Sequence, residues 1–176
     1  MRRWNLSITY KSVIKNILEF IGIIIIAVLI NKFLIFTAYI PSGSMMPTLN
    51  PGDRILATRV YEPSNLKRGD IVIFKSNELH EDLIKRLIGL PGDEIELKGT
   101  EVFVNGKKID EPYVKNNMDF EGTYKVPSGE YFFLGDNRSD SYDSRFWKQT
   151  YISGNNIIGK AQFRIWPLND IGFLKN

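Results

Sequence analysis

The 176 residues suffice for one domain plus a short extra element, and with no cysteine they exclude disulfides, a thiolate nucleophile and any Cys-containing metal site. The single histidine, His80, excludes an intrachain histidine cluster and leaves a Ser-His-Asp triad dependent on one residue in the polar stretch SNELHEDL. The net charge of +3 is unevenly placed: residues 1–32 carry Arg2, Arg3, Lys11, Lys15 and Lys32 against Glu19, and the remainder holds 18 basic and 19 acidic residues, so the basic excess lies beside an apolar stretch and points to a membrane rather than nucleic acid.

From Ile17 to Ile40 the chain is overwhelmingly apolar, although the uninterrupted uncharged run, Phe20 to Asn31, covers only 12 residues. A helix rising ~1.5 Å per residue needs about 20 residues to cross ~30 Å of hydrocarbon. The span therefore takes in its edges, with Glu19 and Lys32 at the interfaces and Lys32 reaching outward along its aliphatic stem. Four basic residues precede the span and one follows, which places the amino terminus in the cytoplasm. These signals predict a cytoplasmic tail over 1–16, a transmembrane anchor over 17–37 and an extracytoplasmic domain over 38–176. A cleaved signal peptide carries a similar charge pattern. The length of the apolar stretch, and the serine-rich segment directly after it, favour a retained anchor.

Beyond Ile40 the pattern becomes β-rich. Short apolar runs (RILATRV, DIVIF, LIKRLIGL, EVFVN, EYFFL and IIGKAQFRIW) alternate with the turn signals NPGD, LPGD, NGKK, VPSGE and LGDN. Asn105-Gly106 is a two-residue hairpin signal. The fold class expected is mainly β, one domain from about Pro41 to the carboxyl terminus with a small β-hairpin insertion over about Gly99 to Pro127, preceded by one transmembrane helix.

Three segments carry candidate chemistry. The first, PSGSMMPTLNPGD, is a turn-rich stretch in which Ser42 and Ser44 compete as nucleophiles, and chemistry alone does not rank them. Read by itself, such a loop is a connector. The second, DLIKRLIGLPGD, contains a strand that puts Lys85 and Leu87 on one face and Ile84, Arg86 and Ile88 on the other. Only the lysine can act as a base, because arginine stays protonated in proteins. A buried lysine gives up its charge more easily; an exposed one on an edge strand merely guards against aggregation. The third, LGDNRSDSYDSR, packs polar residues between a core strand and Phe146-Trp147. It lacks the central Gly and terminal Glu of a calcium-binding loop.

Taken together and in order, the apolar anchor, PSGSMMPTL, GDRILATRV, IKRLIGLPGD, GDNRSDSYDSR and GKAQFRIWPL closely resemble type I signal peptidases, in particular the short, single-anchor Gram-positive form. The resemblance covers essentially the whole chain and implies a signal-peptidase-like catalytic β domain. It implies that Ser44 is the nucleophile and Lys85 the general base, and that Ser42 shares the oxyanion hole with the Ser44 N–H. It further implies that Ser141 hydrogen-bonds the Lys85 amine, that Asp143 and Arg145 form a supporting pair, and that Asp136 and Arg86 brace the strand carrying Lys85. No metal or organic cofactor is expected. The implied partners are exported preproteins with small residues, typically Ala, at the first and third positions before the cut, together with membrane lipid; the export channel is a further candidate. Phe163, Ile165 and Trp166 are candidates for lipid contact as well as for a core strand. Two rivals remain: a self-cleaving Ser/Lys regulator, which the anchor argues against, and a non-catalytic tethered β module that binds exported proteins.

Overall fold

The computed structural model describes residues 6–174. Part of the expected tail, including Arg2 and Arg3, lies outside the described residues. The chain divides into two units, Met1–Phe36 and Thr37–Asn176.

The first unit is built on helix α1, Leu6–Phe33. Its stretch Ser12–Phe33, 22 residues with no position buried, is long and apolar enough to cross a membrane. Phe20, Ile23, Ile26 and Leu29 are all exposed, so the helix is apolar around its circumference rather than along one stripe. That distribution belongs to a helix whose solvent is hydrocarbon. Glu19 pairs with Lys15 one turn earlier, at 3.7 Å. The helix stops at Phe33, short of the expected Thr37: the alternating, β-branched and aromatic run Ile35–Tyr39 forms strand β1 instead.

The second unit holds two sheets. The larger has the order β1-β2-β11-β3-β4-β9-β10, with β12 added to β11. Its strands are β2 (Arg54–Arg59), β3 (Ile71–Ser76), β4 (Glu81–Gly89), β9 (Glu130–Leu134), β10 (Ile152–Ser153), β11 (Ile157–Trp166) and β12 (Gly172–Phe173). β3 and β4 are central, and the unbroken apolar run Ile71–Phe74 is what a strand covered on both faces requires. On one face Val72, Phe74, Leu87, Phe133 and Trp147 form a core in which Phe74 stacks on Phe133 at 4.4 Å. On the other, Ile88, Phe132 and Leu134 pack against Ile95, Leu97, Val102 and Val104. Burying each such side chain contributes roughly 1.5–3 kcal/mol before ordering costs.

The second cluster joins the larger sheet to the smaller one, whose order is β7-β6-β5-β8. The hairpin insertion expected over about Gly99 to Pro127 is present, within a wider element. The insertion is a four-stranded sheet that begins at Glu94: β5 (Glu94–Gly99), β6 (Glu101–Val104), β7 (Lys107–Lys108) and β8 (Phe120–Lys125). Its first strand, EIELKG, alternates so that Ile95 and Leu97 face the core. The Asn105-Gly106 turn is formed as the sequence predicts, with φ of 52° and 75°, the left-handed pair a tight hairpin demands.

Candidate active site

The serine-rich segment folds into a compact turn. Met46 N donates to Gly43 O at 3.0 Å and Leu49 N to Met45 O at 2.9 Å, while Met45 and Leu49 are fully buried and anchor it. Ser44 is 7% exposed. Lys85 is 4% exposed, on a strand hydrogen-bonded on both sides, to β3 and β9. Its Nζ donates to Ser44 Oγ at 2.5 Å. Ser42 Oγ lies 3.4 Å from Ser44 Oγ. The turn and the strand thus bring Ser42, Ser44 and Lys85 together, and the Lys85 amine bonds to Ser44.

Burial pushes the Lys85 pKa down from its ordinary 10.5 to about 8; the Asp143 and Glu81 carboxylates pull it up, and Arg145 pushes it further down. The amine is therefore within reach of its neutral form near physiological pH.

The third segment surrounds this pair. Arg86 and Asp136, both 0% exposed, meet through two parallel hydrogen bonds of 2.7 Å. Arg86 Nη1 also donates to Gly69 O at 2.7 Å, and its guanidinium stacks 3.7 Å from the centre of the Tyr113 ring. The Asp136 carboxylate accepts a further bond from Thr48 Oγ1 at 2.5 Å, which links the serine turn through Asp136 to Arg86 on β4. Asp143 and Arg145 form the second expected pair, with bonds of 2.8 and 2.9 Å, and Asp143 also accepts Gly135 N at 2.9 Å.

Ser141 differs from expectation. Its Oγ is buried and has no hydrogen-bond partner among the described residues; the bond of the Lys85 amine is to Ser44. Ser141 nevertheless stands close by. A Cβ added at Gly135 would lie 2.2 Å from Ser141 Oγ and 2.5 Å from the Ser44 carbonyl oxygen, so only glycine admits both neighbours.

Several supporting residues carried no sequence signal. Glu111 and Tyr113, between β7 and β8, cross over the third segment: Arg138 donates to both Glu111 oxygens at 2.5 and 3.0 Å, and Ser139 N donates to Asn116 O at 3.2 Å. Thr48 and Asn137 read locally as turn formers. These are contacts between distant parts of the chain, for which a local pattern offers no cue. Among the described residues no group of His, Cys, Asp and Glu could hold a metal ion.

A buried serine hydroxyl bonded to an amine of lowered pKa is an arrangement suited to acyl transfer, the chemistry of serine-type hydrolases. The family model for signal peptidase, peptidase S26, matches residues 13–166. The chain is 40% identical over 161 residues to signal peptidase I of Leptolyngbya laminosa, covering 86% of this chain and 78% of that one. It is 38% identical over 171 residues to signal peptidase I of Bacillus caldolyticus, covering 88% and 91%. A solved signal peptidase I from Enterococcus faecalis is 31% identical, with a TM-score of 0.47 and coverage of 55% of this chain and 96% of that one. The chain belongs to the signal peptidase family, peptidase S26. It is a serine-type protease that cleaves signal peptides from preproteins, and a single-pass membrane protein with one amino-terminal apolar helix.

Proposed function

We propose that Ser44 and Lys85 are the catalytic dyad. The observation that carries this reading is the 2.5 Å hydrogen bond from Lys85 Nζ to Ser44 Oγ between two buried side chains. Neutral Lys85 removes the Ser44 proton as Oγ bonds to the scissile carbonyl carbon. The carbonyl oxygen becomes an oxyanion that accepts hydrogen bonds from the Ser44 N–H and the Ser42 hydroxyl. When the C–N bond breaks, the Lys85 ammonium returns its proton to the leaving amine, and water then hydrolyses the ester by the same proton route. Asp143 and Arg145 shape the base's surroundings, Arg86 and Asp136 brace its strand, and the buried Ser141 hydroxyl is available to the amine once it leaves Ser44.

The substrate is proposed to enter as an extended strand with small residues, typically Ala, at the first and third positions before the cut, a mode that suits a β scaffold. The proposed topology has the residues before the apolar stretch in the cytoplasm, the span within Ser12–Phe33, and the catalytic domain from Thr37 onward on the outer side, where the export channel delivers preproteins.

The test is the pH dependence of preprotein processing by the full chain in detergent. The active form has Lys85 neutral, and its folded pKa is lowered, so the active fraction grows as pH rises. The expected kcat/KM climbs about tenfold per pH unit at acid pH and levels off above about 8. A flat profile across that midpoint would remove Lys85 as the titrating base.

A further inference from the structure

We infer that Asn137 is a positioning residue for the oxyanion site: its side-chain amide holds the Gly43–Ser44 peptide so that the Ser44 N–H faces the substrate's carbonyl oxygen. The inference rests on the reading of Ser44 as nucleophile.

Asn137 is 5% exposed and follows directly after Asp136. Its Nδ2 donates to Gly43 O at 3.0 Å, and its backbone N donates to Ser44 O at 3.1 Å. One residue therefore holds the carbonyls of two consecutive peptides, one on each side of the Ser44 side chain. Ser139 Oγ, 3.4 Å from Asn137 Oδ1, occupies the other end of the amide and leaves Nδ2 to face the turn. Gly43 O accepts a second bond from Met46 N, at 3.0 Å. The Ser44 N–H, in contrast, donates to no group among the described residues.

A peptide unit is planar, with its C=O and N–H pointing in opposite directions. Fixing the Gly43 oxygen with two donors therefore fixes the direction of the Ser44 hydrogen. Gly43 itself supplies little resistance to rotation of that plane, since it has no side chain to restrict its own dihedrals. A donor on the carbonyl also polarises the amide and strengthens its N–H as a donor. Asn137 thus prepares an N–H that has no other occupation for the charge that appears only when the tetrahedral intermediate forms. Such a contribution shows in kcat rather than in substrate binding.

The test uses full-length Asn137→Ala and Asn137→Asp in detergent. The aspartate keeps the shape but presents an acceptor to an acceptor. Both are expected to lower kcat by ~10- to 100-fold with KM within about twofold, and to leave the midpoint of the pH profile in place. A second readout separates positioning from mere folding support. A signal-peptide-derived aldehyde adds reversibly to Ser44: Oγ bonds to the aldehyde carbon, the Ser44 proton passes to Lys85, and the former carbonyl oxygen carries the charge. The matching peptide alcohol binds without forming that bond. Asn137→Asp is expected to weaken the aldehyde by ~10-fold or more while the alcohol binds as to the parent. Equal weakening of aldehyde and alcohol, or an unchanged kcat in Asn137→Asp, would overturn the inference. The control is Ser44→Ala. If it keeps the parent's aldehyde affinity, the nucleophile reading itself falls; if it loses that affinity while Asn137→Asp does not, only the role of Asn137 falls.

Discussion

Ser44→Ala and Lys85→Met are each expected to reduce preprotein processing by at least ~10⁴-fold while the domain stays folded. Residues that act as one unit lose nearly the whole of the chemistry when either is removed. The double variant should therefore be no slower than the singles. The lysine substitution carries an opposite effect on stability. The folded-state pKa of Lys85 lies below its ordinary value, so the ammonium opposes folding wherever it is protonated in both states, that is, below about 8. As pH rises from about 8 to 10.5 the folded protein releases this proton while the unfolded chain keeps it, and stability increases. The difference between 10.5 and about 8 corresponds to roughly 3 kcal/mol. Lys85→Met, which fills the same space without the charge, is expected to unfold at higher temperature than the parent at pH 7 and to lose this alkaline gain. Inactive protein with raised stability marks a group held for chemistry; full processing by either folded variant would remove that residue from the mechanism.

The second large effect concerns Arg86 and Asp136. Both are fully buried, and each would be left as an uncompensated charge by removal of the other. Asp136→Ala is expected to destabilise the protein by about 3–5 kcal/mol, read as a fall in the midpoint of thermal unfolding in detergent. It also frees Thr48, which spends its hydroxyl on the same carboxylate, so processing should fall by more than the loss of folded protein explains. An Arg86→Met, Asp136→Leu double variant removes more hydrogen bonds yet is expected to be more stable than Asp136→Ala, because no buried charge is left unpaired. Equal or lower stability of the double variant would mean that the bonds to Gly69 O and Thr48, rather than the ion pair, dominate.

The strands were legible in the sequence because their pattern is local. DIVIF is apolar at successive positions and becomes the doubly covered β3, while Asn105-Gly106 can hardly form anything but a tight hairpin. The Lys85 strand was legible for the same reason, and arginine's inability to deprotonate left one eligible base. What stayed hidden depends on contacts across the chain. Ser42 and Ser44 sit two residues apart in one turn, and only the reach of the Lys85 amine separates them by geometry. EIELKG alternates as a strand should, yet its charged residues disguise the start of the smaller sheet. Glu111 and Tyr113 bear on the site through Arg138 and Arg86, each partner lying far away in sequence, and Asn137 looks like one more polar turn residue until its two bonds to the serine turn are seen. The helix ends before the expected anchor does because LIFTAYI is apolar enough to continue a helix yet branched and aromatic enough to begin a strand.

The absence of cysteine from the whole chain permits one direct measurement on the proposed dyad. Ser44→Cys introduces a single thiol at the proposed nucleophile's position, and its alkylation rate can be followed against pH without background from other thiols. With Lys85 beside it, the thiolate is paired with an ammonium, and the rate is expected to titrate well below the ordinary thiol value of about 8.5. In Ser44→Cys, Lys85→Met the same thiol is buried beside an apolar chain, and the titration is expected to move up by at least about one pH unit. Coincident titrations in the two proteins would contradict the pairing of Ser44 with Lys85.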